Sequence, residues 1–312
     1  MNKILVTPRS LTVAGSHPEL EPLAASGYEL VFSGAGVRPD ERELVHLVPG
    51  CVGYLAGMEK ISARVLEAAT DLRVLSRNGT VLDNVDLQTA ARLGIKVLTA
   101  DGANTRGVAE LTIALMLAVA RAIPLSAITM ARGEWERVKG FELEGRTLGV
   151  VGCGRIGRLV AQIAAVGFGM RVLGYDPYPP QIPIQVPTFE LVPFDKLLRE
   201  SDVVSLHCPP LDNGSALITT RNIHLMRHGV VLINTARGSL VDFDAVLEAL
   251  EGERIFGFAT DVYPEEPPES HVLFKHPRVI TTPHIGGYTD ESVARASRVA
   301  VANLIDSLQN VP

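Results

Sequence analysis

The stretch TLGVVGCGRIGRLVAQIAA, Thr147–Ala165, decides the fold because it contains a complete strand–turn–helix unit. The apolar start predicts a buried strand, and the second half predicts a helix with an apolar face. Between them, Gly152, Gly154 and Gly157 have the GxGxxG spacing, in which the glycines permit a tight turn, close approach of a pyrophosphate, and close helix packing. The stretch therefore predicts a dinucleotide site with phosphates at the helix N-terminus, where unpaired N–H groups attract anions.

One acidic residue indicates which dinucleotide is bound. Asp176, in VLGYDP, ends the next predicted strand about 20 residues after the turn, where a carboxylate hydrogen-bonds ribose hydroxyls. Its charge repels the 2′-phosphate of NADP, and the following PYPP offers no arginine to bind that group. The predicted cofactor is therefore NAD.

Predicted strands and helices alternate on both sides of this turn. The downstream strands are MRVLGYD, DVVSLH, VVLINT, IFGFATD and RVITTP, and the upstream strands are KILVT, YELVF, VGYLA, LRVLS and IKVLT. Alternation of this kind builds parallel sheets covered by helices, and the continuous apolar strands fit burial on both faces. We expect an α/β protein with two Rossmann-like domains, each a doubly wound parallel sheet.

Composition narrows the partners and the compartment. The 312 residues carry a formal charge of −6 with no basic stripe, so nucleic acid is not expected as a partner. Three scattered cysteines, Cys51, Cys153 and Cys208, predict neither a disulfide framework nor a metal site, and they fit a reducing cytoplasm. The N-terminal apolar run is too short for a signal peptide. The longest apolar run, LTIALMLAVA, is about half a membrane span, so no membrane partner is expected.

A long helix is predicted from about residue 105 to residue 130, with a break at Pro124. Its middle is apolar on all sides, which requires more cover than one sheet face provides. We therefore expect it to contribute to a subunit interface.

Three polar residues follow predicted strands downstream of the glycine turn: Arg237 in NTARGSLVD, Glu266 in DVYPEEP and His284 in TPHIGG. Ligands of open parallel sheets bind beyond the carboxyl ends of the strands. An arginine can hold a carboxylate in a fork, a histidine can exchange a proton near neutral pH, and a carboxylate can orient that histidine. Each residue alone also fits a turn or a solvated loop, but three at successive strand ends indicate oxidation of a hydroxy acid with NAD.

These motifs resemble the D-isomer-specific 2-hydroxyacid dehydrogenases, and most closely the D-3-phosphoglycerate dehydrogenase-like members. The resemblance runs from about Val74 to Gly287 through DNVDL, NTRGVAELTIALML, GCGRIG, GYDP, LHCPP, NTARGSLVD, DVYPEEP and TPHIGG. It implies that Arg237, Glu266 and His284 are catalytic. It also implies substrate contacts at Asn78, Gly79 and Arg237, and cofactor contacts at Thr80, Val108, Arg155, Ile156, His207, Cys208, Thr235, Ala236, Asp261, Gly286 and Gly287. Asp261 is expected on the nicotinamide carboxamide, and Cys208 is expected to line the pocket rather than act as a nucleophile.

The resemblance also implies a domain arrangement. A flavodoxin-like substrate-binding domain is expected from residues 1–100 and 289–312, with an inserted NAD-binding domain at residues 101–288. Catalysis is expected between the domains, in a homodimer. Because the chain ends at Pro312, we expect no regulatory domain of the kind that longer phosphoglycerate dehydrogenases carry.

Two departures from the family pattern leave the acid open. Ala56 stands where phosphoglycerate enzymes carry an anion-binding arginine, and Val81 replaces the second glycine of an RxGxGxDN loop that here is RNGTVLDN. The substrate is expected to be a small D-2-hydroxy acid or its 2-keto acid. One candidate reaction interconverts 3-phosphoglycerate and 3-phosphohydroxypyruvate. The other is the reduction of glyoxylate or hydroxypyruvate. The family arrangement places Arg77, Arg137 and Lys139 near the cleft, where they are candidates for binding a distal acidic group; the alternative is that they are solvated surface charges.

An NAD(H)-sensing corepressor is the alternative from another functional class. Such proteins resemble this family, and they can retain the arginine, glutamate and histidine. Turnover of NADH with a keto acid separates the two hypotheses.

Overall fold

The computed structural model describes residues 2–13, 17–178 and 186–309. The backbone contacts divide the chain into two compact units, one made of Met1–Asn104 with Thr289–Pro312 and the other of Thr105–Tyr288. Each unit contains one fully parallel sheet. The predicted α/β class with parallel sheets is therefore confirmed.

The first unit has a five-stranded sheet in the order β2-β1-β3-β4-β5, which is the flavodoxin-like order. Its strands are β1 Lys3–Val6, β2 Glu29–Phe32, β3 Cys51–Ala56, β4 Val74–Arg77 and β5 Lys96–Thr99. Its helices are α1 Arg9–Thr12, α2 Glu21–Ala25, α3 Glu41–Leu47, α4 Ala63–Ala68, α5 Leu87–Arg92 and the C-terminal α12 Asp290–Gln309, with a 3₁₀ turn at Pro18–Leu20. Buried aliphatic side chains cover both sheet faces, which explains the continuous apolar strands.

The second unit has a seven-stranded sheet in the order β12-β11-β10-β9-β6-β7-β8. Its strands are β6 Thr147–Val151, β7 Arg171–Tyr175, β8 Phe189–Leu191, β9 Val203–Leu206, β10 Val230–Asn234, β11 Ile255–Thr260 and β12 Val279–Thr281. Its helices are α6 Thr105–Ala120, α7 Ile123–Ala131, α8 Arg155–Phe168, α9 Phe194–Glu200, α10 Thr220–Leu225 and α11 Phe243–Glu251, with 3₁₀ turns at Gly238–Leu240 and Val272–Lys275. Six neighbouring strands, β11-β10-β9-β6-β7-β8 in sheet order, follow the Rossmann order, and β12 is added beside β11. The sequence pattern did not reveal β8, a three-residue edge strand.

The long predicted helix differs from expectation in two ways. It breaks between α6 and α7, at Ala122 in the left-handed conformation (φ 49°), and not at Pro124, which lies in the first turn of α7. Proline is tolerated there because the first N–H groups of a helix have no partner within it. The apolar middle of α6 is covered by α8, β10 and β11 of its own unit, so its composition does not require a second subunit.

Hydropathy identifies no single membrane-spanning helix among the described residues. No single described helix combines the length and apolar character that a crossing needs, and only the pair α6 and α7 meets those criteria, with a 63° bend.

Candidate active site

The glycine turn lies between β6 and α8, and each of its glycines has a distinct environment. Gly152 has φ 93°, which favours glycine, and a Cβ there would lie 2.6 Å from the carbonyl carbon of His207. A Cβ on Gly157 would overlap the carbonyl oxygen of Gly152. A Cβ on Gly154, the N-cap residue of α8, would meet no atom within 4 Å. The turn therefore packs tightly on its protein side and stays open at the helix start, which fits a pyrophosphate.

Asp176, the residue predicted to bind the ribose, is held against this turn by two hydrogen bonds. Oδ2 of Asp176 accepts a hydrogen bond from the Cys153 amide at 2.8 Å, and Oδ1 accepts one from the Tyr178 amide at 2.9 Å. These bonds fix the carboxylate beside the turn, and it remains partly exposed. Arg155 and Ile156 begin α8 next to it. This arrangement fits NAD.

The segment after β9 brings His207 and Cys208 against Gly152. Burial lowers the pKa of His207 to about 3, so the ring is neutral at physiological pH, and its Nε2 lies 2.9 Å from Ser205 Oγ. Burial raises the pKa of Cys208 to about 11. Because the thiolate is the reactive form, Cys208 is not set up as a nucleophile.

Arg237 follows β10 in a turn shaped by the buried Asn234. Asn234 Nδ2 donates to the Arg237 carbonyl at 2.8 Å, and its Oδ1 accepts from the Ala236 amide at 3.1 Å. Gly238 then lies so close to Tyr263 that a Cβ would overlap the backbone there. The Arg237 turn is thus packed directly onto the segment that leads to Glu266. Thr235 precedes the turn and its hydroxyl lies 2.9 Å from that of Thr112 on α6.

His284 and Glu266 form a direct pair. Nδ1 of His284 lies 2.7 Å from Oε2 and 2.9 Å from Oε1 of Glu266, with 48% and 35% of the two side chains exposed. The Tyr263 amide donates to Glu266 Oε1 at 3.2 Å, and the Tyr263 hydroxyl donates to the Thr282 carbonyl at 2.9 Å. Glu266 therefore orients the imidazole and leaves Nε2 for chemistry. His284 itself has φ 53°, an uncommon conformation for a residue with a side chain.

Asp261 holds the turn that carries His284. Its carboxylate is 2% exposed and accepts hydrogen bonds from Thr282 Oγ1 at 2.6 Å, the Ile285 amide at 2.8 Å and the Gly286 amide at 2.8 Å. These donors flank His284 on both sides. The carboxylate that the resemblance assigns to the nicotinamide thus also holds a turn of its own chain, a role that the sequence pattern did not indicate.

The remaining candidates fall into two groups. In the second unit, Gly286 packs against Val108, since a Cβ there would lie 3.3 Å from the valine methyl, and Gly287 follows it. In the first unit, Asn78 Nδ2 donates to Ser297 Oγ at 3.2 Å, and Thr80 accepts from Asn104 Nδ2 at 3.3 Å. Gly79, with φ 158°, lies between these two residues.

The fold and this site define an NAD-dependent oxidoreductase. The sequence profile described as D-isomer specific 2-hydroxyacid dehydrogenase, NAD binding domain, matches residues 113–286. The chain belongs to the family of D-isomer specific 2-hydroxyacid dehydrogenases. The predictions of the family, the enzyme class and the NAD cofactor are therefore confirmed.

Individual relatives span the candidate reactions. The chain is 37% identical over 275 residues to a hydroxypyruvate reductase of Thermotoga maritima, covering 86% of this chain and 89% of that protein. It is 40% identical over 248 residues to a D-3-phosphoglycerate dehydrogenase of Methanocaldococcus jannaschii, covering 78% of this chain but 47% of that protein. The crystal structure of the TT0316 protein from Thermus thermophilus matches with a TM-score of 0.87 and 36% identity, over 98% of this chain and 97% of that one.

Proposed function

We propose that the protein interconverts a small D-2-hydroxy acid and its 2-keto acid with Arg237, Glu266 and His284 as the catalytic set. The observation that carries this proposal is the contact between His284 Nδ1 and Glu266 at 2.7 Å. A carboxylate on Nδ1 fixes the ring and stabilises the imidazolium, so the proton is exchanged at Nε2. When bound, NAD supplies the hydride acceptor of the oxidation.

His284 and Arg237 then have complementary tasks. In the oxidation, Nε2 of His284 accepts the proton of the C2 hydroxyl as the C2 hydride leaves, and in the reduction it returns that proton to the C2 oxygen. The half-buried guanidinium of Arg237 donates from Nη1 to its own Ala236 carbonyl at 2.7 Å, which holds the group in place. Its remaining N–H groups are suited to the substrate carboxylate and to the C2 oxygen, where negative charge develops during reduction.

Asp176 supports NAD over NADP in this proposal. Its carboxylate is fixed by two backbone amides beside the glycine turn and is placed to accept hydrogen bonds from ribose hydroxyls. A phosphate on the same ribose brings like charges together, which disfavours NADP.

The proposed substrates are three-carbon and two-carbon 2-keto acids: hydroxypyruvate, glyoxylate and 3-phosphohydroxypyruvate. Ala56 ends β3 and is fully buried. Because its side chain is a methyl group, it offers no charge to a distal phosphate. Arg137 and Lys139 are exposed residues of the second unit. The relative matched over 89% of its length is a hydroxypyruvate reductase, which supports hydroxypyruvate as a substrate.

A panel of keto acids tests the proposal. Purified protein is mixed with NADH and with hydroxypyruvate, glyoxylate, 3-phosphohydroxypyruvate or a keto diacid, and kcat/KM is measured for each. We expect turnover of at least one, with hydroxypyruvate preferred over glyoxylate. NADH binding without turnover of any of the four would favour the corepressor hypothesis instead.

We also propose a homodimer. Ile123 and Met130 of α7 are 52% and 55% exposed and lie seven residues apart on one face of the helix, which places two apolar side chains together on the surface of the second unit. Light scattering of the wild type should give twice the mass of one chain, and Met130→Asp should shift it toward the single-chain mass. A wild-type mass of one chain at micromolar concentration would rule the dimer out.

The cytoplasm remains our proposed compartment. Cys51, Cys153 and Cys208 are all free thiols in the structure, which fits a reducing environment.

A further inference from the structure

Tyr263 connects the two loops that carry the proposed acid–base pair. It lies three residues before Glu266 in the loop after β11, and its amide donates to Glu266 Oε1 at 3.2 Å. Its hydroxyl donates at 2.9 Å to the carbonyl of Thr282, two residues before His284 in the loop after β12. Tyr263 thus holds the carboxylate through its backbone and the histidine loop through its side chain.

The Thr282 carbonyl also shapes the turn of His284. It accepts a second hydrogen bond, from the His284 amide at 3.0 Å, and His284 has φ 53°. Left-handed backbone is uncommon for a residue with a side chain, and it persists only where the surroundings hold it. The Tyr263 hydroxyl therefore binds the same carbonyl that closes this strained turn.

The acid–base pair needs such support because it is exposed. The side chains of His284 and Glu266 are 48% and 35% exposed. An exposed ion pair gains little from its own attraction, because water screens the charges and both side chains lose conformational freedom on pairing. The contact between the two residues therefore depends on how well their loops are held together.

Beyond the sheet, side chains tie the two loops together. β11 and β12 form their last pair at Thr260 and Thr281, so the strands do not fix the spacing of the loops that follow. Asp261 binds the histidine turn from the start of the first loop. Tyr263 adds a tie two residues nearer to Glu266. Its hydroxyl is therefore well placed to set the distance between the carboxylate and the imidazole.

The ring of Tyr263 is itself held in place. It packs edge-on against Phe274, with ring centroids 5.5 Å apart and an interplanar angle of 83°. The Tyr263 backbone packs on Gly238, next to Arg237, so closely that a Cβ on the glycine would overlap it. Burial raises the pKa of the Tyr263 phenol above its ordinary value, so the hydroxyl keeps its proton at neutral pH. The phenol is thus a fixed hydrogen-bond donor.

We propose that Tyr263 is a positioning residue of the acid–base pair, whose hydroxyl sets the spacing of the two loops so that Glu266 stays on Nδ1 of His284. Nε2 is then the nitrogen that exchanges the substrate proton. This inference rests on the proposed function for the role of the pair in turnover. Its first test involves no turnover, so the two proposals can fail separately.

The first test measures which ring nitrogen of neutral His284 carries the proton. Long-range proton–nitrogen NMR spectra of the imidazole rings are recorded for the wild type and Tyr263→Phe with NAD present, and His284→Ala assigns the signals. Contact with Glu266 places the proton on Nδ1 in the wild type. In Tyr263→Phe, which removes only the hydroxyl, we expect the ratio of the Nε2–H form to the Nδ1–H form to rise at least about twofold, as the loss of one weak hydrogen bond predicts. An equal ratio in the two proteins overturns the proposal.

The second test distinguishes positioning from a general loss of structure. Steady-state kinetics with the keto acid that the wild type reduces, and fluorescence titration of NADH, are compared for the wild type, Tyr263→Phe and Tyr28→Phe. Tyr28 is a partly buried tyrosine of the first unit, so its variant is the control for loss of a phenol hydroxyl and should match the wild type. We expect kcat of Tyr263→Phe to fall about threefold to tenfold with NADH affinity unchanged.

The pH profile gives a further readout. In Tyr263→Phe, kcat/KM for the reduction should begin to fall at a lower pH than in the wild type, because the imidazolium loses part of its carboxylate partner. A kcat and a pH profile equal to those of the wild type would overturn the proposal, and so would a parallel fall of kcat and NADH affinity, which indicates general damage. If no keto acid is reduced, the proposed function fails and the NMR comparison decides the role of Tyr263.

Discussion

Two glycine-containing loops, one in each unit, follow buried strands of parallel sheets, and they use glycine for different purposes. In the turn after β6, Gly152 and Gly157 let backbone segments approach each other and Gly154 leaves the start of α8 open. In the loop after β4, Gly79 makes room for the side chain of Arg77. The first loop works through its backbone and is recognisable from spacing alone. The second works through one side chain, whose position depends on packing.

The largest effect is expected on kcat when His284 is changed, because we assign proton transfer to this residue of the second unit. His284→Ala removes the Nε2 that exchanges the proton and should lower kcat by about 10²–10⁴. NADH affinity should stay near the wild-type value, because the glycine turn is untouched. Steady-state kinetics and fluorescence titration of NADH measure the two quantities, and His228→Ala, at an exposed histidine of the same unit, is the control. Near-normal kcat in His284→Ala would exclude the role.

The next effect concerns the substrate carboxylate. Arg237→Lys keeps the charge but loses the planar fork, which should raise KM for the acid and lower kcat, with a combined loss of about 100-fold in kcat/KM. Arg221→Lys, at an exposed arginine of the second unit, should behave as the wild type. An unchanged kcat/KM in Arg237→Lys would show that the carboxylate is held elsewhere.

The third prediction concerns His207, which lies against the glycine turn and should make the stability of the folded protein depend on pH. The pKa of His207 in the folded protein is about 3, below its unfolded value of about 6.5. Between these values the unfolded chain binds a proton that the folded chain does not, so stability falls as pH drops below about 6.5. At pH 5 the loss is about 2 kcal/mol.

His207→Gln should abolish this component. Urea unfolding at pH 7.5 and pH 5 measures it, with His228→Gln as the control for loss of an exposed histidine. An equal pH-dependent loss in His207→Gln and the wild type would contradict the assignment.

The smallest effect is on cofactor choice. Asp176→Ala removes the carboxylate beside the glycine turn and should reduce the preference for NAD over NADP by about tenfold, which corresponds to about 1.4 kcal/mol. The ratio of kcat/KM for the two reduced cofactors measures the preference. Equal use of NADH and NADPH by the wild type would show that Asp176 does not discriminate.

The parts of the molecule that follow from local patterns could be predicted from the sequence. Strand–helix alternation indicated both parallel sheets, and GxGxxG with Asp176 indicated the dinucleotide turn, because spacing along one chain segment determines these features. The sequence predicts the break at Pro124, two residues beyond its position at Ala122, because proline usually ends a helix but is tolerated in the first turn of one. The edge strand β8 was missed because three residues give no measurable period.

The supporting interactions of the site could not be predicted in the same way. Asn234 shapes the Arg237 turn, and Asp261 clamps the turn that carries His284. Asn234 bonds residues two and three positions away, whereas Asp261 bonds residues 21 to 25 positions away. Both residues lie in the quoted motifs, but the motifs do not indicate which atoms these side chains bond. The burial of Arg77 is likewise visible only in the structure. Whether a buried polar side chain finds hydrogen-bond partners depends on how the whole structure packs.

The most direct test of the central claim is the product formed from hydroxypyruvate and NADH by the wild-type protein. NADH oxidation is followed by absorbance, and the glycerate formed is quantified by chiral chromatography. We expect one glycerate per NADH oxidised, all of it the D isomer. Formation of L-glycerate or a racemate, or NADH oxidation without a matching amount of glycerate, would contradict it.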